Sequence, residues 1–162
     1  DISIDGKGEA IAQVVQRFNL PQSTASEDEI LTIDVDYDTT SVEVNDMVTV
    51  SVSVSFNPPA EMNIAEAGMT IIDISVPTGF QPVADTLEDI VSSMDNIKRY
   101  EVAGRKVIFY VENMKPGDTV SFEFQVQALY PVKAKGVASS AYAYYQPDIK
   151  AEILGEDVTV KP

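Results

Sequence analysis

The chain has 162 residues, of which 44% are hydrophobic and 23% are charged, enough to bury one core of ordinary domain size. Its 26 acidic residues outnumber its 11 basic ones, and the resulting net charge of −15 disfavours nucleic acid and anionic lipid as partners, since both are negatively charged. The sequence contains no His and no Cys, which excludes Ser–His and Cys–His nucleophiles, imidazole proton shuttles and ordinary zinc sites. We therefore expect no catalytic residue, no metal and no cofactor.

The sequence shows no segment that would insert into a membrane. No apolar run approaches the roughly 20 residues that cross a bilayer. Residues 1–20 lack the basic start and apolar stretch of a signal peptide. Because the sequence begins with Asp1, we interpret it as a fragment of a longer protein.

Residues 1–29 differ in character from the rest of the chain. A strand-like segment, residues 10–20, is followed by a polar stretch of linker composition between Pro21 and Glu29. We therefore predict that residues 1–29 are the last strand of a preceding domain plus a linker, and that residues 30–162 form a separate domain.

Alternation of apolar and polar residues is the main secondary-structure signal after residue 30. The clearest example runs from Val48 to Phe56, where Val and Phe alternate with Thr and Ser. The same pattern recurs in residues 32–37, 70–76, 107–111 and 120–126. Turn signals separate these segments at residues 57–59, 77–79, 103–104 and 115–118. Short strands separated by turns favour an antiparallel β-sandwich.

Three acidic residues lie on the first predicted strand or directly after it. Asp34, Asp36 and Asp38 match the opening of an EF-hand loop, but Thr39 and Asn45 stand where that loop requires Gly and Glu. An EF-hand is therefore excluded. A solvated row of carboxylates is the favoured interpretation, and a weak divalent-ion site is the alternative.

One segment has helical rather than strand periodicity. Its apolar residues are spaced at i, i+3, i+4 and i+7, namely Leu87, Ile90, Val91 and Met94. Asp85, followed three positions later by Glu88, matches a capping box. We predict a helix of two to three turns that packs its apolar side on the sandwich.

The C-terminal region predicts further strands. Residues 136–145 are interpreted as a strand, residues 146–148 as a turn or bulge, and Ile153-Leu154 as part of a short terminal strand. The region is rich in tyrosine, and an exposed aromatic contact patch would draw on Tyr130, Tyr142, Tyr144 and Tyr145. Inward packing with hydrogen bonds at the rim of the sandwich is the favoured alternative.

Three sequence blocks carry a family resemblance. The first runs from Gly6 to Asn19, the second from Met69 to Phe80, and the third consists of segments at 107–112, 119–126 and 141–148. In this order and spacing they resemble the C-terminal end of alpha-2-macroglobulin family proteins. The first block is similar to the strand that ends the domain before the receptor-binding domain, and the others are similar to strands of the receptor-binding domain itself.

The resemblance implies a fold and a function. It implies an all-β, immunoglobulin- or fibronectin-like antiparallel sandwich of seven or eight strands, with one short amphipathic helix in a strand connection. It also implies a non-enzymatic protein-binding domain of a proteinase inhibitor or thioester-containing defence protein, exposed or repositioned after proteinase cleavage. Such a protein is extracellular, on the cell surface or periplasmic. Its partners would be other domains of the same chain and a receptor or target protein.

An alternative function stays open beside this one. An adhesin-like sandwich that acts only as a structural spacer of a surface protein would have similar strand patterns. The Cys-Gly-Glu-Gln thioester sequence of the family is absent from this chain, which has no Cys. The chain itself therefore cannot couple covalently to targets.

The predicted helix departs from the family pattern. The family's receptor contact uses two lysines four residues apart, and these positions correspond to Ala84 and Glu88. Acidic residues at the start of this helix would repel an acidic receptor module. We take the helix and the residues just after it as the candidate partner-binding surface, made of Asp85, Glu88, Asp89, Ser92, Lys98 and Arg99.

Overall fold

The structure is a computed structural model that describes residues 29–162. The strand predicted within residues 1–29 lies outside the described residues, and the division at residue 30 stays a prediction. The described strands are β1 (Leu31–Tyr37), β2 (Ser41–Glu43), β3 (Met47–Phe56), β4 (Met69–Ser75), β5 (Phe80–Pro82), β6 (Ile97–Ala103), β7 (Lys106–Glu112), β8 (Thr119–Ala128), β9 (Val132–Ala134), β10 (Ala138–Ala143), β11 (Gln146–Leu154) and β12 (Val158–Lys161). One α-helix, α1 (Ala84–Ser93), and a short 3-10 turn (Ala60–Met62) complete the elements of this range.

Two antiparallel sheets form the layers of a sandwich. The first sheet has the strand order β1-β3-β8-β5, and the second has the order β11-β10-β4-β7-β6. A third, smaller sheet, β2-β12-β9, contains the parallel pair β12 and β2. The predicted all-β sandwich with one helix is confirmed, whereas the small third sheet was not predicted because its strands are too short to show alternation.

Aromatic packing joins the two sheets. The ring of Phe109 on β7 lies 4.5 Å from that of Phe122 and 5.9 Å from that of Phe124, both on β8. All three residues are buried, Phe109 completely. Each ring removes a large apolar surface from water, so this contact is a main source of stability for the sandwich.

The outer face of the first sheet is polar, as the alternation predicts. Side-chain hydrogen bonds run across it between β3 and β8, at 3.0 Å from the Ser51 hydroxyl to the Glu123 carboxylate, 3.0 Å between Ser53 and Ser121, and 2.8 Å between Ser55 and Thr119. These cross-strand pairs fix the register of β3 against β8 on the solvent side. The apolar residues between them fill the core.

Helix α1 connects β5 of the first sheet to β6 of the second, and it buries Leu87 and Ile90. The predicted capping box is wrong, because the N-cap is Val83 and Asp85 lies inside the first turn. The physical reason is that the Val83 N–H donates to the carbonyl of Gln125 at 2.9 Å, which holds the chain extended up to Val83. The helix therefore begins two residues earlier, at Ala84 rather than at Thr86, than a capping box at Asp85 requires.

The C-terminal turn also differs from the prediction. The chain turns at Tyr144-Tyr145, and the strand that follows begins at Gln146 rather than after residue 148. Pro147 is compatible with this strand because β11 is the edge of its sheet, where a missing N–H breaks no required bond. A change in register between Tyr142 and Ala143 accommodates the turn.

Gly79 offers a test of packing between the turn after β4 and strand β9 of the third sheet. It has φ +88°, and a Cβ at this position would lie 2.5 Å from Cγ1 of Val132. Gly104 has φ +63° but no neighbouring atom within 4 Å. We expect Gly104→Ala to cost about 1 kcal/mol from backbone strain alone and Gly79→Ala about 2–4 kcal/mol, since a clash adds to the strain. Equal losses in urea denaturation would contradict the predicted clash.

Candidate functional site

The six predicted partner-binding residues fall on two elements. Asp85, Glu88, Asp89 and Ser92 lie on α1, whereas Lys98 and Arg99 lie on β6, and all six are exposed. Ala84 and Glu88, one turn apart, are both exposed at the start of the helix. The helix surface is therefore accessible and acidic, and the two basic residues belong to the second sheet.

Internal contacts occupy several of these side chains. The Ser92 hydroxyl donates to the carbonyl of Glu88 at 2.8 Å, within the helix itself. The Lys98 amine donates to the carbonyl of Asp95 at 2.8 Å and lies 3.8 Å from the Glu112 carboxylate. Since this ion pair is solvent-exposed, it contributes little to stability.

Arg99 makes a contact that the sequence did not indicate. Its guanidinium carbon lies 3.9 Å from the centroid of the Tyr110 ring, a cation–π geometry. The strand register places both residues on the outer face of the second sheet, because Phe109 on β7 points into the core. Arg99 therefore belongs to the outer face of that sheet and not to the helix surface.

A row of large side chains crosses this outer face. The register aligns one residue from each of the five strands, namely Lys150, Tyr142, Ile71, Tyr110 and Arg99, and we call this set the tyrosine row. Ile71 at its centre is only 4% exposed, although it points away from the core. The register places Tyr142 and Tyr110 directly beside Ile71, one on each neighbouring strand, and large cross-strand neighbours reduce the exposure of the side chain between them.

Charged groups surround the tyrosine row. On the next row, the Asp73 carboxylate accepts a 2.8 Å hydrogen bond from Lys106. The second carboxylate oxygen of Asp73 is buried and has no hydrogen-bond partner among residues 29–162. Glu101 accepts a hydrogen bond from the Tyr110 hydroxyl at 3.3 Å. The face thus combines an aromatic centre with a charged rim, an arrangement typical of protein interfaces.

Neighbouring charges set the acidity of Tyr110. Partial desolvation raises the pKa of its hydroxyl, the Arg99 guanidinium opposes that rise, and Glu101 adds to it by its charge and by accepting a hydrogen bond from the hydroxyl. The pKa of Tyr110 is raised above its ordinary value as a result. The hydroxyl therefore stays a hydrogen-bond donor at neutral pH.

The other three tyrosines of the predicted contact patch do not pack inward. Tyr130, Tyr144 and Tyr145 are 49%, 53% and 74% exposed, so inward packing is wrong for these three. They also do not form one patch. The Tyr144 N–H donates to the carbonyl of Met69, whereas Tyr130 lies beside Gly79, beyond the other end of β4. The early turn at Tyr144-Tyr145 is what places two of them in solvent.

The acidic row lies where alternation predicts. Asp34 and Asp36 are exposed on β1, and the Asp38 carboxylate accepts the Thr49 N–H at 2.9 Å. Within the described part of the chain, no three acidic side chains come close enough to hold a metal ion. No helix of this part is long and apolar enough to cross a membrane.

A family model agrees with this architecture. The model of the A-macroglobulin receptor binding domain matches residues 65–154, more than half of the chain. The chain belongs to this family. The resemblance read from the sequence blocks is thereby confirmed, and the matched model describes a binding domain rather than a catalytic one.

Relatives in vertebrates support the same assignment. The chain is 29% identical over 87 residues to complement C3 of Eptatretus burgeri, covering 52% of this chain and 5% of that protein. It is 32% identical over 101 residues to complement C3 of Lethenteron camtschaticum, covering 61% of this chain and 6% of that protein. The receptor-binding domain thus spans about one twentieth of the length of these relatives.

Solved structures share the fold. Native Escherichia coli alpha-2-macroglobulin matches with a TM-score of 0.69 and 16% identity over 88% of this chain and 10% of that chain. The Y1175G mutant of Salmonella alpha-2-macroglobulin matches with a TM-score of 0.67 and 16% identity over 86% of this chain and 10% of that chain. At this level of identity the similarity establishes the sandwich and no more.

The sequence alone does not predict the tyrosine row, because the alternation within one strand does not show which residues of other strands lie beside it. A sequence signal exists, since Val107 to Val111 and Thr70 to Ile72 contain large apolar or aromatic residues on both faces of their strands. Strands that are apolar on both faces are usually covered on both. Of the row, the sequence predicts contacts only for Tyr142 and Arg99, and it assigns them to two different surfaces.

Charge substitutions should move the pKa of Tyr110 in opposite directions. Glu101→Gln keeps a hydrogen-bond acceptor but removes a negative charge, so we expect a lower pKa; Arg99→Gln removes a positive charge, so we expect a higher one. Titration of 13Cζ-labelled tyrosine by NMR between about pH 9 and 12 measures both, with Tyr110→Phe assigning the resonance. Shifts of the same sign in the two variants would contradict the described contacts.

Proposed function

We propose that this receptor-binding domain belongs to a macroglobulin-type proteinase inhibitor or thioester-containing defence protein. In this proposal the domain is non-enzymatic and docks on another domain of the same protein. Proteinase cleavage elsewhere in the chain uncovers or repositions it. The tyrosine row is the observation that carries the proposal.

The composition of the tyrosine row supports docking on protein. Tyrosine and arginine are enriched at the energetic centres of protein interfaces, because they combine a large apolar area with polar ends. Tyr110 and Tyr142 offer that area, and the Arg99–Tyr110 stack holds one ring in place before any partner arrives. A side chain that is already ordered loses less entropy on binding.

The proposed partner lies in the same chain. The domain covers 5% to 6% of the complement C3 relatives, so in a protein of that length most neighbouring surface is covalently linked to it. Linkage raises the effective concentration of the partner to the millimolar range, and a small interface then suffices. A domain that acted only as a spacer would have no need for such a face.

The cellular location is part of the same proposal. The relatives are complement C3 proteins and bacterial alpha-2-macroglobulins. We infer an extracellular, cell-surface or periplasmic location from that likeness.

The docking proposal predicts a change in tyrosine reactivity. In the full-length protein, we expect Tyr110 and Tyr142 to react with a tyrosine-labelling reagent at least tenfold more slowly than in the isolated chain, because the docked domain covers them. Limited proteolysis of the full-length protein should restore their reactivity. Tyr130, which lies outside the tyrosine row, is the control and should change less than twofold. Mass spectrometry of labelled peptides measures all three.

Two outcomes would overturn the docking proposal. Equal labelling of Tyr110 and Tyr142 in the intact protein and in the isolated chain would remove the tyrosine row from any interface. Protection that persists after proteolysis would leave the docking in place but would contradict its release by cleavage.

We propose the surface of α1 as a second, separate contact. Asp85, Glu88 and Asp89 give it a negative charge, and Ser92 extends it toward the C-terminal end of the helix. A cationic partner surface is complementary to this charge. Lys98 and Arg99 remain predicted contact residues, Lys98 beside the helix and Arg99 within the tyrosine row.

The charge of the helix predicts failure to bind acidic receptor modules. We expect no measurable binding of the chain to a calcium-loaded, acidic module of the low-density-lipoprotein-receptor class, since like charges repel. Ala84→Lys with Glu88→Lys places two ammonium groups one turn apart on an exposed surface and should create binding. Surface plasmon resonance measures both. Binding by the unaltered chain would contradict the role assigned to the acidic helix.

A further inference from the structure

Strand β8 is paired along its whole length on one side but only in part on the other. On one side β3 pairs with it from Thr119 to Gln127. On the other side β5 pairs with residues 126–128 only. The next residue, Gln125, is held by α1, since its carbonyl accepts the Val83 N–H at 2.9 Å and its N–H donates to the Thr86 hydroxyl at 3.1 Å.

The remaining edge of β8 has backbone groups that no strand of residues 29–162 uses. In an antiparallel strand, the N–H and C=O of one residue point to one edge, and those of the next residue point to the other edge. Ser121, Glu123 and Gln125 are alternate residues, so their backbone groups point to the same edge. Among residues 29–162, no strand pairs with β8 at these positions on this side. Because β3 holds β8 in regular extended form here, the edge is a preformed template for one more strand.

A groove gives access to this edge. Helix α1 runs beside β8, and between them lies an open cavity of about 470 Å³. Its apolar lining consists of Ile90 of the helix, Met94 directly after the helix, and Phe122 and Phe124 of the strand. Its carboxylates are Asp89 and Glu123, and no Lys or Arg of the described residues 29–162 lines it.

We propose that this groove binds an extended, basic segment of a partner protein, which adds to β8 as an extra strand. Its backbone would pair with the N–H and C=O groups of Ser121 and Glu123, the mode of recognition in which a peptide extends an exposed sheet edge. Alternate side chains of an added strand face opposite ways. One set would contact Phe122 and Met94, and the other set, cationic, would lie beside Asp89 and Glu123.

Charge decides the chemistry of the occupant. The chain has a net charge of −15, and both titratable groups in the groove are acidic. An acidic segment would be repelled, whereas a segment with lysine or arginine at alternate positions would pair with both carboxylates. The groove lies at the edge of the first sheet and the tyrosine row lies on the second, so a result that contradicts one of these two proposals leaves the other unaffected.

A designed peptide tests the proposal on the 162-residue chain. The probe is acetyl-Lys-Val-Lys-Val-Lys-amide, with acetyl-Glu-Val-Glu-Val-Glu-amide as the charge control and a version methylated at its backbone nitrogens as the pairing control. At saturation, hydrogen exchange followed by NMR should slow at least tenfold for the N–H groups of Ser121 and Glu123. Neither control peptide should produce this protection.

Matched variants separate the groove from general attraction to an acidic protein. Asp89→Lys with Glu123→Lys and Asp148→Lys with Glu152→Lys change the net charge equally, but only the first pair lines the groove, whereas the second pair lies exposed on β11 of the other sheet. At physiological salt, where exposed charges are screened beyond about 8 Å, calorimetric affinity for the peptide should fall at least tenfold in the first variant and less than twofold in the second. Circular dichroism checks that both variants fold.

Three results would overturn the proposal. Equal weakening by the two variants would show binding through net charge alone. Tight binding without protection of Ser121 and Glu123 would place the peptide elsewhere. Protection of these two N–H groups in the chain without peptide would assign the groove to another segment of this chain.

Discussion

The contact between Phe109 and the two phenylalanines of β8 is the interaction on which the rest of the structure depends. It brings the middle strands of the two sheets together, and the alternation on either side then decides which residues are buried. Helix α1 covers one open side of the layers through Leu87 and Ile90, and the strands β1 and β11 meet at the opposite side. The inner faces of both sheets are therefore buried in the core, so a partner can bind only the outer faces, the sheet edges or the helix surface.

The two outer faces have different chemistry. The first sheet presents short hydroxyl side chains that hydrogen-bond one another across β3 and β8, so this face is satisfied without a partner. The second sheet presents Tyr110, Tyr142 and a covered Ile71, which water solvates poorly. This difference is the reason that the docking proposal assigns the interface to the second sheet and not to the first. The peptide proposal concerns only the edge of the first sheet, which the strands of residues 29–162 pair in part.

Membership of the family is compatible with an acidic surface on helix α1. The fold depends on buried residues such as Leu87, whereas the charge of the helix depends on exposed ones such as Ala84 and Glu88. Exposed positions can change charge at little cost in stability, so the domain keeps its sandwich while its helix suits different partners. The name of the family therefore describes the fold of this chain more closely than its binding chemistry.

The sequence by itself determined the sandwich, the helix and the absence of His and Cys chemistry, because alternation, helical spacing and composition are local properties. It placed Asp85 and Glu88 on an exposed helix for the same reason. Only the tertiary structure decided that Val83 begins the helix and that Tyr144 and Tyr145 turn into solvent, because bonds to distant strands fix both. It alone aligned Tyr142, Ile71, Tyr110 and Arg99, and it alone left Ser121 and Glu123 at a partly paired edge. These arrangements depend on register between strands far apart in the chain, which no local pattern encodes.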